Sequence, residues 1–238
     1  MFNYISNTKN TMKKVVLFLA LGFFATTLSA QVSKTMNNIA GGLYKAVPFT
    51  ERNTITNLKL TGTIDARDFR TMRDAMPALA VVDLEKVTIV AYSGPGGTEG
   101  TIKTKGSYKA NTIPQFAFYN EDNFSGKKVV EVIFPKKLAA IGEKAFYYCT
   151  ELVSLDIPAS VTELGANSFY KCTGLTSITV STPEPIKDMG KGVFYAVDPS
   201  TCTLHVPVGA KETYQGAKQW QDFLNILDDV ELIQPEKE

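Results

Sequence analysis

The chain has 238 residues, with 25 basic and 24 acidic side chains, a net charge of +1, one histidine and three cysteines. That balance offers no basic footprint for nucleic acid or an anionic membrane. A single histidine and an odd number of dispersed cysteines exclude a typical zinc set and a disulfide framework, so stability has to come from apolar packing.

Taken in chain order, residues 1–30 read as a secretory signal peptide. Met12-Lys13-Lys14 is basic, Val15 to Leu28 is mostly apolar, and Leu28-Ser29-Ala30 ends on a small residue before Gln31. The apolar run is short of the roughly 20 residues that span a bilayer. Removal of residues 1–30 takes away Lys9, Lys13 and Lys14 and no acid, leaving 22 basic against 24 acidic residues. The mature chain is expected to be exported, with no membrane insertion after cleavage. Gln31 supplies no thiol for a lipid anchor.

Residues 31–54 read as an amino-terminal lead-in or cap. Short strands are expected around Ile55/Leu58/Leu60 and Leu79/Val82/Leu84, because the last two apolar positions of each set are two apart. Between them Asp65 caps a helix to about Ala75, with Asp68 as the reciprocal partner and Phe69, Met72 and Met76 on one face. Residues 90–112, rich in glycine, break the pattern and read as an insertion loop, either flexible decoration or part of a binding surface. Lying outside the strands, its residues 93–107 are expected to be dispensable for folding. Four further strands follow at Val129/Val132/Phe134, Leu152/Leu155/Ile157, Leu175/Ile178/Val180 and Thr201/Leu204/Val206. Residues 209–238 read as a carboxy-terminal cap, in which Trp220 and Phe223 lie over the last rung with one polar edge of the tryptophan wet.

The line from Ile141 through Ala145-Phe146-Tyr147-Tyr148-Cys149 to Leu152 returns 23 residues later from Leu164 through Ser168-Phe169-Tyr170-Lys171-Cys172 to Leu175. Such a period marks a repeat architecture, in which no unit buries its own core and stacking supplies the stability. The expected fold is an α/β repeat solenoid. It has one short parallel strand per unit of about 23 residues, a helical or irregular convex side and capped ends, and it spans 55–208. Phe118, Phe146, Phe169 and Phe194 recur at one position and should stack inside. Cys149 and Cys172 also share a position and, like Cys202, are expected to be buried and reduced.

These units resemble the BspA-like leucine-rich repeats of bacterial surface and secreted proteins, with their I-G-x-x-A-F-x-x-C-x-x-L-x-x-I-x-I-P character. The likeness is closest over 141–180 and extends, with insertions, over roughly 55–226. The resemblance implies adhesion to host matrix proteins or to other bacteria, and a non-catalytic protein without a cofactor.

The residues themselves point the same way. His205 lies between Leu204 and Val206 and faces outward, with no serine and acid evident beside it for nucleophilic catalysis. No catalytic and no metal-binding residue is assigned. Two surfaces remain as candidates for a protein or glycan partner. One is the outward strand face, with Asn57, Lys59, Asp83, Glu131, Ser154, Asp156, Ser177, Thr179, Thr203 and His205. The other is a strip of Tyr119, Tyr147, Tyr170 and Tyr195, each following a spine phenylalanine. The leading expectation is a secreted or cell-surface binding protein. The alternatives are a periplasmic structural or assembly component without an external ligand, and a secreted degradative enzyme.

Overall fold

The structure, a computed structural model, describes residues 31–232. The proposed signal peptide lies outside the described residues. The chain runs β1 (Ser33–Asn38), α1 (Leu43–Ala46), α2 (Phe49–Arg52), β2 (Asn57–Ile64), α3 (Ala66–Ala75), β3 (Val81–Ile89), β4 (Tyr92–Pro95), β5 (Lys105–Tyr108), β6 (Thr112–Ile113), β7 (Tyr119–Asn120) and β8 (Ser125–Gly126). It continues with β9 (Glu131–Ile133), β10 (Ala140–Ile141), β11 (Ser154–Ile157), β12 (Glu163–Leu164), β13 (Ser177–Val180), β14 (Asp188–Met189), β15 (Thr203–Pro207), α4 (Lys211–Gln215) and β16 (Asn225–Val230).

Two open four-stranded sheets, β1-β2-β3-β9 and β11-β13-β15-β16, carry the leucine positions, and every pairing in them is parallel. One backbone bond, from Val153 N–H to the Val130 carbonyl at 3.1 Å, links their neighbouring edges. All six expected strands are present, and two more flank them. Strand β1 lies in the segment read as a lead-in or cap, and β16 in the segment read as the carboxy-terminal cap; neither strand was expected. The reason is burial. An edge strand covers little core, so β1 offers only half-buried Met36 as an inward apolar side chain and β16 only buried Ile226, and neither shows the leucine pattern. Spacing also varies more than a fixed 23 residues. Ser154 pairs with Ser177, 23 on, but Asn57 pairs with Val81, Ser177 with Thr203 and Thr203 with Asn225, which are 24, 26 and 22 residues apart.

The opposite side is built from turns and a third parallel sheet, β6-β10-β12-β14, of two-residue strands. No helix lies between β3 and β15 among the described residues, so the repeats there use the irregular option of the expected convex side. A glycine follows three of these short strands, because the neighbouring rung's backbone lies against it. A Cβ on Gly142, Gly165 or Gly190 would come within 2.6, 2.4 and 2.2 Å of the backbone nitrogens of Gln115, Glu143 and Ala166.

The Ala-Phe-Tyr segment forms its own ladder of backbone bonds. In one unit Lys144, Phe146 and Tyr148 donate to the carbonyls of Ala166, Ser168 and Tyr170 at 3.0, 2.8 and 2.9 Å. In the next, Asn167, Phe169 and Lys171 donate to Lys191, Val193 and Tyr195 at 3.0, 3.0 and 2.8 Å. The flanking residues Lys144, Tyr148, Asn167 and Lys171 adopt positive φ between 50° and 59°. Left-handed backbone costs a non-glycine residue about 1–2 kcal/mol, and here each such residue donates a bond to the next rung in return. The alternation sets Phe146 and Phe169 inward.

Phe118, Phe146, Phe169 and Phe194 stack at centroid spacings of 5.0, 5.1 and 5.7 Å, all buried. Phe69 of α3 closes the stack at one end, 6.0 Å from Phe118. Trp220 and Phe223 close it at the other, 5.2 and 5.4 Å from Phe194. Trp220 is fully buried, and its indole N–H donates to the Ile186 carbonyl at 3.4 Å, so the expected wet edge is instead satisfied within the protein. Cys149 and Cys172 sit behind the spine as free thiols, donating to the carbonyls of Phe118 and Phe146 one rung back, at 3.7 and 3.0 Å. Burial pushes the thiols of Cys149 and Cys172 well above the usual range, and that of Cys202 up to about 12. Thiol labelling without reductant is therefore expected to leave the native protein unmodified and to add three labels after unfolding. A single label after unfolding would mean that two of the cysteines are joined.

Ser168 occupies the position held by Ala117 and Ala145 in the preceding units and is fully buried. Its hydroxyl has no hydrogen-bond partner among the described residues. Ser168→Ala should therefore raise stability by about 1 kcal/mol, because it removes a polar group buried without a partner. Denaturant melts that show a loss would reveal a partner for the hydroxyl.

Helix α3 has the expected capping box. Asp65 accepts from the Arg67 N–H at 2.8 Å, and Asp68 accepts from the Asp65 N–H at 2.9 Å. The Asp68 carboxylate also accepts from Gly41 and Leu43 at 2.7 and 3.0 Å, which ties the amino-terminal segment to the helix. The insertion is not structureless: it forms a hairpin docked on α3, which argues against a dispensable loop. Strands β4 and β5 form an antiparallel hairpin. Arg70 donates to the carbonyls of Gly97 and Gly100 at 2.7 and 3.1 Å, and Arg73 donates to that of Thr98 at 2.8 Å. Deleting residues 93–107 removes two carbonyl partners of Arg70 and one of Arg73 and uncovers the face of α3 they hold, so it is expected to destabilise the fold by about 3 kcal/mol. A melting temperature equal to that of the parent would restore the original reading.

Candidate functional site

The outward strand residues fall into two rows, as the register dictates. Asn57, Val81 and Glu131 form one row on the first sheet, and it resumes on the second as Ser154, Ser177, Thr203 and Asn225. The other row holds Lys59, Asp83 and Ile133, then Asp156, Thr179, His205 and Leu227. All ten assigned face residues therefore lie in these rows. Much of their charge is already paired. Lys59 bridges to Asp83, and His205 Nδ1 lies 2.9 Å from a carboxylate oxygen of Asp229 on β16. Sequence reasoning left His205 without an acid, since β16 was not foreseen as the adjoining strand. The face is thus mostly polar, with Ile133 and Leu227 exposed, and holds no large aromatic side chain.

The tyrosine strip has more binding capacity. Tyr119, Tyr147, Tyr170 and Tyr195 follow one another at centroid spacings of 4.7, 4.6 and 4.8 Å, the last two pairs within 10° of parallel. Exposure grades along the strip. Tyr119 is only 6% exposed, Tyr147 and Tyr170 are half-buried, and Tyr195 is 59% exposed. Tyr119 is thus corrected from a surface residue to a buried one. It lies in the β7–β8 hairpin opposite Gly126, its carbonyl accepts from Arg73 at 3.0 Å, and Tyr147 packs edge-on against its ring. Burial raises the phenols of Tyr119 and Tyr147 above their ordinary range, so both stay neutral donors.

Tyr148 and Lys171 join the strip and were missed. The Lys171 ammonium donates to the Tyr148 hydroxyl at 2.8 Å and lies 4.7 Å from the centre of its ring. The two hold one repeat position, and that equivalence was the available signal. Stacked rings cover one another's faces, so the strip offers edges, hydroxyls and one ammonium. Beyond its last ring lies a cavity of about 270 Å³, lined in part by Tyr195, Pro199, Asp222 and Phe223.

Lys127 was also missed. It is buried, donates to the Met76 carbonyl, and has its ammonium pushed down by burial to about 8. Among the described residues no cluster of histidine, cysteine and carboxylate side chains could hold a metal, and no helix is long and apolar enough to cross a membrane.

Parallel rungs, a glycine turn after three of the short strands, at Gly142, Gly165 and Gly190, and an internal phenylalanine stack are the features of leucine-rich repeats. Residues 102–213 match the family model of the BspA type leucine rich repeat region, in six copies. That stretch is made of BspA-type leucine-rich repeats. No curated protein matches the chain.

Proposed function

We propose that the protein is a non-catalytic, exported binding protein, and that its repeats form a solenoid whose surface recognises a protein or glycan partner. The observation that carries this reading is the tyrosine strip: half-exposed rings at a regular spacing of 4.6–4.8 Å, with Lys171 alongside. Tyrosine provides large contact area and a hydroxyl at low conformational cost, which is why binding surfaces are enriched in it. The strand face is the second candidate surface, since repeat proteins commonly bind through their broad strand side. It holds no large aromatic of the kind that anchors interfaces. The basic, apolar and small-residue order of residues 1–30 and the match of 102–213 to the repeat family support a location outside the cytoplasm.

The test is a screen of the purified protein against immobilised host matrix proteins and glycans. Saturable binding to at least one supports the reading, and none across the panel contradicts it. Protease treatment of intact cells then separates the alternatives. A surface protein is lost, and a periplasmic assembly component survives.

A further inference from the structure

The insertion that breaks the repeat builds a groove of its own, lined by none of the strip tyrosines. Between α3 and the β4–β5 hairpin lies an open cavity of about 650 Å³, whose walls include Tyr44, Tyr92, Arg67, Arg70, Asp74 and Ile102. All of these residues but Ile102 lie before the stretch that matches the repeat family. The groove exists because the arginines of α3 hold the hairpin in place through the carbonyls of Gly97, Gly100 and Thr98.

Its chemistry is specific. The Arg52 guanidinium backs the Tyr44 ring at 3.9 Å from the centroid, which fixes the ring while leaving it 57% exposed. Arg67 stacks on Tyr92 in the same way, at 4.2 Å. The charges that line the groove are already matched: Arg67 pairs with Asp65 at 2.6 Å and Arg70 with Asp74 at 3.3 Å. The lining therefore offers no spare charge to an ionic ligand. It does offer aromatic surface backed by guanidinium groups, together with paired guanidinium and carboxylate side chains in its walls. Preorganised aromatic walls lower the ordering cost of binding. A ligand that fits has a flat apolar face, many hydroxyls and no charge.

We infer that this groove is a second binding site, for a neutral oligosaccharide, with Tyr44 as the stacking platform. It is independent of the strip proposed above, and the two can fail separately.

The test is isothermal titration of the purified protein with neutral hexasaccharides of glucose, mannose, xylose and N-acetylglucosamine, alongside uronate and sulfated oligosaccharides and an aromatic peptide. At least one neutral sugar is expected to bind. Tyr44→Ala should weaken it about tenfold or more, as loss of a stacked ring does. Tyr44→Phe should keep binding, and Tyr170→Ala on the strip should leave it unchanged. Tyr44 is exposed, so an unaltered melting temperature is expected in its variants. The proposal is overturned if no neutral sugar binds, if binding survives Tyr44→Ala, if Tyr170→Ala alone abolishes it, or if the charged sugars or the peptide bind more tightly than every neutral one.

Discussion

Replacing Phe169 by alanine is expected to destabilise the protein by about 3–5 kcal/mol, the usual loss for a fully buried phenylalanine. Its ring lies between Phe146 and Phe194 at 5.1 and 5.7 Å, at the centre of the stack. No neighbour can fill the gap, because the segments that carry the rings on either side are held by backbone bonds between rungs. Tyr170→Ala, one residue along, removes a ring that is half in water and should cost much less. Denaturant melts of the two variants compare inner and outer ladders directly. Equal losses would show that the strip is part of the core.

Gly165→Ala is the second large effect. The added methyl would sit 2.4 Å from the Glu143 nitrogen and 2.6 Å from the Gly142 carbonyl carbon, both backbone atoms of the adjacent rung. Neither can swing aside as a side chain end would, so the rungs have to separate. A loss of about 3 kcal/mol is expected, at the upper end for overpacking. Gly209→Ala is the control. Gly209 has φ of +83° but nothing within 4 Å of the new Cβ, so only the left-handed backbone penalty of about 1 kcal/mol applies. Similar losses at both positions would mean that backbone conformation, not rung contact, explains these glycines.

The spine, the six apolar strands and the α3 capping box were legible because each is a repeated or spaced pattern of side chains that packing demands. Strands β1 and β16 were not. Their pairing is made by backbone groups, and an edge strand with one inward apolar residue leaves no periodic trace. The hairpin escaped for a related reason: its anchors are Arg70 and Arg73 binding carbonyl oxygens, and carbonyls carry no sequence identity. The groove follows from that docking and was equally hidden. The residues expected to share the outward side of the strands do share it, because alternation dictates which side chains lie on one side of a sheet. The sequence misplaced Tyr119, whose burial depends on the β7–β8 hairpin, a local turn outside the repeat.

The most direct measurement of the central proposal, recognition through the tyrosine strip, is a comparison of affinities for the partner found by screening. Tyr147→Ala/Tyr170→Ala should raise Kd about tenfold or more, a typical loss when aromatic anchors are truncated. The strand-face variant Ser154→Ala/Ser177→Ala should leave it nearly unchanged. The opposite pattern, with affinity kept by the tyrosine variant and lost by the strand-face variant, would contradict the account and move recognition to the strand rows.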